Sequence, residues 1–484
     1  MMRKRLCWFL AAVSLCFYCL GMQVGAEETE ESGIQIDTSG DETYGAFTYR
    51  INDTGGVTIT SCDTASTENE IPAEIEGLQV TEIGNAAFMG CNFLTSITVP
   101  KGVVSIGESA FANCSMLCDV TLSEGLASLG KGAFESCTML SEVHLPNTLT
   151  ELPEAAFYNC SYLPSIVLPD SVSSIGNEAF YSCTAMTAVT LPAQLQSIGA
   201  YAFQNCQQLT SIAIPASCKE IGTYALDGCQ SMTAITVDEN NTVFSSMDGV
   251  LFSADKTQLI RYPQAKADAV YEIPDSCTTL ADWSFIGATN LEEIDLNQVE
   301  EIGEDCFYYC ISLLEIKVPE GVTVLDGAVF GYCTEMRSVV LPTTLRRIGD
   351  NCFYSCPSLS DVQMPEGVTE LGDSCFYNCI ALQKLTLPDS IETIGEKAIG
   401  YYMPSDNSGE QRMTQLDVKS GSPAVKRYLR QLRTGNAVGW VIGGIAIVLV
   451  AAGIVILILV HRIRNRIRPT TRQAGVQQNT KKKK

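Results

Sequence analysis

Apolar positions recur along this chain with one long period. Phe88, Phe111, Phe134, Phe157, Phe180 and Phe203 stand 23 residues apart, and Leu226 continues the series. After a 59-residue interval come Phe285, Phe307, Phe330, Phe353, Phe376 and Ile399, spaced by 22 once and by 23 thereafter, which makes thirteen copies. Each copy carries apolar residues at the first, fourth and sixth places of a short segment closed by proline, as in Leu94, Ile97, Val99 and Pro100, or Leu382, Leu385, Leu387 and Pro388. The alternation at the end predicts a short strand, and proline ends it. About seven residues on stands an Ile-Gly pair (Ile106-Gly107, Ile175-Gly176, Ile348-Gly349), where a side chain on the turning backbone would clash. The Ala-Phe pair that follows predicts a short helical turn that aims the ring inward. A 23-residue copy cannot bury its own apolar face, but stacked copies bury one continuous core. At about 4.8 Å per rung, thirteen turns predict a curved rod on the order of 60 Å long.

The combined pattern L-x-x-I-x-L-P-x-x-x-x-x-I-G-x-x-A-F-x-x-C is similar to the leucine-rich repeat. It resembles in particular the BspA-type subclass of bacterial and protozoan surface proteins, over about residues 71–418. The usual repeat asparagine is missing, as in that subclass. The resemblance implies a repeat solenoid, α/β but β-rich: a right-handed leucine-rich repeat horseshoe or rod of about 13 turns. It also implies adhesion to host or matrix proteins or to other cells. The repeats fill 71–237 and 274–418, after a linker and β-hairpin cap at 27–70. Tyr44 to Cys62 reads as that hairpin, covering an open edge that would otherwise aggregate. Asp248-Gly249 between two apolar runs predicts a hairpin in the insertion, 238–273. At 419–435, helical spacing of Val425, Leu429 and Leu432 resembles the closing helix of such arrays, with a plain juxtamembrane linker as the alternative.

The ends of the chain bear on compartment. Arg3, Lys4 and Arg5 precede an apolar run and a small-residue site after Ala26, so 1–26 reads as a secretory signal peptide. Residues 437–460 hold no charge, and 436–460 is long enough to cross a bilayer as one C-terminal transmembrane helix. The tail 461–484 is basic, with Arg462, Arg464, Arg466, Arg468, Arg472 and Lys481 to Lys484, which places it in the cytoplasm. A sortase signal is the runner-up, but Leu432-Arg433-Thr434-Gly435 lacks the proline of the sorting motif. The expected location is the cell membrane, single-pass, with the solenoid outside.

Charge and chemistry narrow the function. The 55 acidic residues against 31 basic ones, a net charge of -24, argue against nucleic acid as a partner. His144 and His461 are the only histidines, which leaves little for triad catalysis or a histidine metal site. No phosphate loop, nucleophile elbow or H-E-x-x-H is present, so the chain reads as no enzyme, with no cofactor and no metal. Asp238, Asp248 and Asp255 match no calcium loop and read as turn residues.

Eleven cysteines share one place, three after the phenylalanine: Cys91, Cys114, Cys137, Cys160, Cys183, Cys206, Cys229, Cys310, Cys333, Cys356 and Cys379. They predict a structural cysteine ladder along the stack. Neighbouring rungs lie close enough for disulfides, yet an odd count and Ala288 at one rung favour small buried thiols. Free thiols in a secreted protein suggest an anaerobic or reducing habitat. Cys306, Cys352 and Cys375 stand at the usual alanine place and read as core replacements rather than zinc ligands.

What remains is surface. Strand places two, three and five are mostly small in the early repeats, as in Thr95, Ser96, Thr98, Thr187, Thr190 and Thr210, while Glu292, Glu293 and Asp295 form an acidic cluster. Tyr308, Tyr309, Tyr332, Tyr354 and Tyr377, with Tyr158 and Tyr181 earlier, form a tyrosine stripe that serves either as a binding surface or as partial cover for the core. The expected function is that of a membrane-anchored cell-surface protein mediating protein or glycan binding. The alternative is a structural envelope protein without a specific ligand.

Overall fold

A computed structural model describes residues 40–63, 70–400 and 417–431. The signal at 1–26, the span at 436–460 and the tail at 461–484 lie outside these residues. Among the described residues no helix is long and apolar enough to cross a membrane. The chain divides into two compact units, Met1–Ala267 and Asp268–Lys484.

In the first unit the cap is a three-stranded antiparallel meander, Glu42–Tyr44, Phe47–Ile51 and Val57–Cys62. Its inner face, Phe47, Tyr49, Val57 and Ile59, is buried. The last cap strand then pairs in parallel with Leu78–Ile83, so that Ile59 faces Ile83. The cap thereby ends as the first rung of the stack and leaves no bare edge there.

Each following turn has three sides. Short strands such as Ser96–Thr98, Asp119–Thr121 and Glu142–His144 pair in parallel, with Ile97, Val120 and Val143 in line. This line breaks before Ser165–Val167, where Pro164 has no N–H to give. A second line is built from two-residue strands at the place of the Ile-Gly pair, for example Glu151–Leu152 (where Leu152-Pro153 stands instead), Ser174–Ile175, Ser197–Ile198 and Glu220–Ile221. The glycine there is demanded by close approach: a Cβ on Gly199 would lie 2.5 Å from the Asn177 nitrogen and 2.6 Å from the Gly176 carbonyl carbon.

The third side differs from expectation. The Ala-Phe segment is no helical turn; among the described residues 70–400 there is no helix, so the repeats are β and turn only. Residues two before and two after each phenylalanine have positive φ, as at Ser109 (54°) and Asn113 (61°) around Phe111. That alternation sends every second N–H to the next turn: Ser109, Phe111 and Asn113 donate to the carbonyls of Lys131, Ala133 and Glu135 at 2.7–2.8 Å. The amides between bond within their own turn, as Ala112 does to Ser109 at 3.0 Å. Inter-turn and intra-turn hydrogen bonds thus alternate along this side, and in the last copies it becomes a strand pair, Phe376–Tyr377 with Ile399–Gly400.

Phenylalanine rings from successive turns stack in the core, with centroids 5.2 Å apart for Phe111–Phe134 and 5.6 Å for Phe134–Phe157. Each fully buried ring contributes about 2–3 kcal/mol of hydrophobic stabilisation. The insertion adds an antiparallel meander, Phe244–Met247, Val250–Ser253 and Gln258–Arg261. Asp248 (φ 51°) and Gly249 (φ 78°) make the tight turn of its hairpin. Asn241 ties it down, giving its amide to the carbonyls of Pro215 and Cys218 at 2.8 Å and accepting from the Val243 and Phe244 amides at 2.9 Å. Arg261 pairs with Asp227, both almost wholly buried.

The second unit repeats the scheme. Its core rings run Phe285, Phe307, Phe330, Phe353 and Phe376, with centroids 4.9–5.5 Å apart. Asp417–Lys419 pairs in parallel with Lys384–Thr386, and a helix follows at 423–431. Ser422 caps that helix, accepting from the Ala424 and Val425 amides at 3.1 and 3.4 Å. Its buried face is Val425 and Tyr428, with Leu429 half-buried and Leu432 outside the described residues. The units carry about 15 turns between them. The phenylalanine period, with Leu226 and Ile399 in it, counts thirteen; Val57–Cys62 and Asp417–Lys419 also pair with neighbouring rungs without carrying the phenylalanine motif.

Candidate binding surfaces

The ladder cysteines sit in the wall between core rings and outer turn. Each thiol from the second rung on points at the carbonyl of the phenylalanine one turn earlier: Cys114 to Phe88 at 3.0 Å, Cys160 to Phe134 at 3.2 Å, Cys206 to Phe180 at 3.2 Å. In the second unit Cys310, Cys333, Cys356 and Cys379 do the same to Phe285, Phe307, Phe330 and Phe353 at 3.1–3.2 Å. A thiol is small enough for this wall and still donates to the carbonyl's second lone pair. Burial pushes the thiols of Cys183, Cys229, Cys310 and Cys379 up to about 12. All eighteen cysteines among the described residues are unbridged. Cys306 shares a 3.1 Å hydrogen bond with the Ser284 hydroxyl, and Cys352 and Cys375 are buried in the core.

Other sequence-marked groups are used locally. His144 is exposed and meets Glu142 Oε1 at 3.0 Å. Asp238 accepts from the Asn240 amide at 2.9 Å, and Asp255 from Ser253, the Thr257 amide and the Thr257 hydroxyl at 2.7–3.1 Å, as turn-capping aspartates do. Thr187, Thr210 and Thr233 are exposed, but their hydroxyls donate back to the carbonyls of Pro164, Thr187 and Thr210. They therefore offer a partner few free donors. Glu292, Glu293 and Asp295 are exposed together.

The five tyrosines of the second unit form one continuous cluster. Tyr309 and Tyr332 stack at 4.7 Å and 2°, and Tyr354 and Tyr377 at 5.5 Å and 15°. Tyr308 stands edge-on to both Tyr309 and Tyr332, and Tyr332 is tilted against Tyr354 at 5.4 Å. Gly331 makes room for Tyr308: a Cβ there would lie 2.7 Å from the ring. Burial raises the Tyr308 hydroxyl far above the usual phenol range, with the neighbouring tyrosines adding to it. In the first unit Tyr158 and Tyr181 stack at 4.8 Å, and burial pushes Tyr158 up to about 12. Rings that stack rung on rung cover one another's faces. A half-buried stack of this kind leaves mainly ring edges to a partner, which suits edge contacts better than sugar stacking.

A second line escaped the sequence reading. Phe93, Met116, Met139 and Tyr162 are 62%, 48%, 38% and 61% exposed in successive turns of the first unit. The signal was present as another 23-residue spacing, two places after the cysteine, with no buried role to draw notice.

Known proteins agree with this architecture. A profile of the BspA type leucine-rich repeat region, in six copies, matches residues 70–163, 150–265, 269–337 and 323–403. The crystal structure of a leucine-rich cell-surface protein from Faecalibacterium prausnitzii is similar at 28% identity and a TM-score of 0.62, covering 76% of this chain and 96% of that one. A leucine-rich repeat protein from Bacteroides ovatus follows at 27% and 0.55, covering 72% and 95%. The pneumococcal vaccine antigen PcpA shares the fold at 21% and 0.53, covering 81% and 96%. No curated protein matches the sequence. From the profile matches and the repeated architecture together, the chain belongs to the BspA-type leucine-rich repeat family.

Proposed function

We propose that this protein displays its repeats at a cell surface and binds an extracellular, host or matrix protein or a glycan. Residues 436–460 anchor it in the bilayer, and the basic tail 461–484 stays inside. The observation that carries the reading is the likeness to a leucine-rich cell-surface protein over 96% of that chain. Rows of outward side chains that the core does not use support it. Repeat proteins use such rows as extended binding faces. The chemistry on these rows is recognition chemistry: tyrosine, hydroxyls and carboxylates. The tyrosine cluster from Tyr308 to Tyr377 is the first candidate surface, through its ring edges.

The structural-envelope reading draws on the same tyrosine stacking, since rings that cover each other also clad the core. The two readings part on saturable binding. A panel of matrix proteins and glycans, presented to the full chain, should yield at least one saturable ligand. Binding weakened by Tyr308→Ser, Tyr354→Ser and Tyr377→Ser together would place it at the tyrosines, whereas no saturable ligand favours the envelope role.

A further inference from the structure

The line Phe93, Met116, Met139, Tyr162 has no role in the fold, and its surroundings are specific. The backbone beside it is locked in register. Ser115 donates to Asn92 Oδ1 at 2.8 Å, Thr138 to the Ser115 carbonyl at 3.4 Å, and Ser161 to the Thr138 carbonyl at 3.4 Å. Four large apolar side chains are therefore held one above another. The two end residues are aromatic and more exposed than the two methionines between them, 62% and 61% against 48% and 38%. The line is a shallow saddle, with rigid ends and an adaptable floor.

Its charged neighbours share one sign. Across places 92–98, 115–121, 138–144 and 161–167, the charged residues are Asp119 and Glu142, with His144 beside Glu142. Asp119 Oδ1 is a buried oxygen with no hydrogen-bond partner among the described residues. Glu142 and Asp119 are register partners on neighbouring strands, so two carboxylates stand side by side, and a cation from a partner complements the pair. The net charge of -24 disfavours a second copy of this chain as the occupant. The same carboxylates disfavour an anionic membrane.

Spacing then selects the partner's conformation. Three rung intervals of about 4.8 Å make about 14 Å. Four apolar side chains in a row on a helix, one per turn of about 5.4 Å, span about 16 Å. Alternate residues of an extended strand, about 6.7 Å apart, would span about 20 Å. The helix stays in phase with the saddle to about 2 Å, and the strand slips by about one whole rung.

We propose that Phe93, Met116, Met139 and Tyr162 form a docking saddle for a basic amphipathic helix of a partner protein. The helix lays its apolar row between Phe93 and Tyr162 and reaches Asp119 and Glu142 with lysine or arginine. This rests on the binding role proposed above and names a surface and a partner class for it.

The test uses the full chain purified in detergent and three labelled peptides of about four helical turns. One has a leucine row flanked by lysines, one has the leucines replaced by serine, and one has the lysines replaced by glutamate. Fluorescence anisotropy should show saturable binding of the leucine–lysine peptide alone. Phe93→Ser and Tyr162→Ser should each weaken it at least tenfold, Asp119→Asn severalfold, and Thr233→Ala not at all. The side chains at 93 and 162 are exposed, and an unchanged melting curve confirms that the variants remain folded. Equal binding of the serine–lysine peptide would reduce the effect to charge and overturn the proposal. So would binding that survives both aromatic changes, or binding of phosphatidylcholine vesicles that the same changes abolish. Failure of the peptide to bind, with a matrix ligand that still binds the native chain, rejects the saddle and keeps the adhesion role. Failure of the whole matrix and glycan panel rejects the adhesion role itself.

Discussion

Changing Asp305 to Asn should remove a loss of stability that the native chain suffers as pH rises towards neutral. Asp305 is 3% exposed, and its carboxyl is pushed from 3.8 up to about 7, first by burial and then by the charges of Glu304 and Asp282. Its φ of 54° is a conformation that asparagine also adopts readily, so the substitution fits the backbone. In the unfolded chain this carboxyl ionises near 3.8. Between that pH and about 7 the folded state holds the extra proton, so each step upward in pH costs stability. Below about pH 4 there is no penalty, and above about 7 it is complete. A difference of about three units corresponds to ~4 kcal/mol as an upper bound, and relaxation around the charge lowers it. Denaturant unfolding of the native chain and of Asp305→Asn, followed from pH 4 to 9, isolates the group from every other carboxylate. The variant should gain on the native chain progressively between pH 4 and 7 and then hold a constant lead of about 2–4 kcal/mol. Parallel pH curves would refute the reasoning, because they would mean that Asp305 ionises as easily folded as unfolded.

Further outcomes follow from the packing. Gly199→Ala should destabilise the first unit by about 1–3 kcal/mol in a chemical melt, since the new Cβ meets backbone that cannot swing aside. Arg261→Ala should cost about 3–5 kcal/mol by leaving Asp227 buried without its partner, and Asp227→Asn in the same chain should recover part of that loss. Thiol titration of the intact fold at pH 8 should leave Cys183, Cys206 and Cys229 unlabelled, and denaturation without reductant should release them as thiols; mass mapping that finds rung-to-rung disulfides would contradict this. Protease added to intact cells should remove the repeats and spare a tag placed after Val460, whereas a tag lost from outside would reverse the proposed topology.

The period, the stacked phenylalanines and the insertion hairpin were legible because each rests on residue type at fixed spacing: an aromatic for the core, Asp-Gly for the turn. The third side was not legible. Its left-handed residues include Ala86, Ser109, Glu178 and Tyr201, types that carry no such signal, because inter-turn hydrogen bonding imposes the conformation from outside the local sequence. The role of the cysteines was half legible. Their ladder follows from the spacing, but the hydrogen bond to the preceding phenylalanine carbonyl depends on how one turn is offset against the next. Tyrosine at Tyr308 to Tyr377 signals a surface, yet whether faces or edges are offered is decided by ring angles that no spacing encodes. The Phe93–Tyr162 line was written in the sequence with the same period as the core and was passed over, since exposure distinguishes it and composition does not.

The central claim is that the repeats act by recognition at outward rows of side chains. Its most direct measurement is quantitative binding of the full chain to purified matrix proteins and glycans, with the Tyr308, Tyr354, Tyr377 triple serine variant and the Phe93, Tyr162 double serine variant measured in parallel. The account predicts saturable binding to at least one ligand, weakened at least tenfold in one of the two variants while both melt as the native chain does. Saturable binding that neither variant changes, or no saturable binding to any ligand, would contradict it.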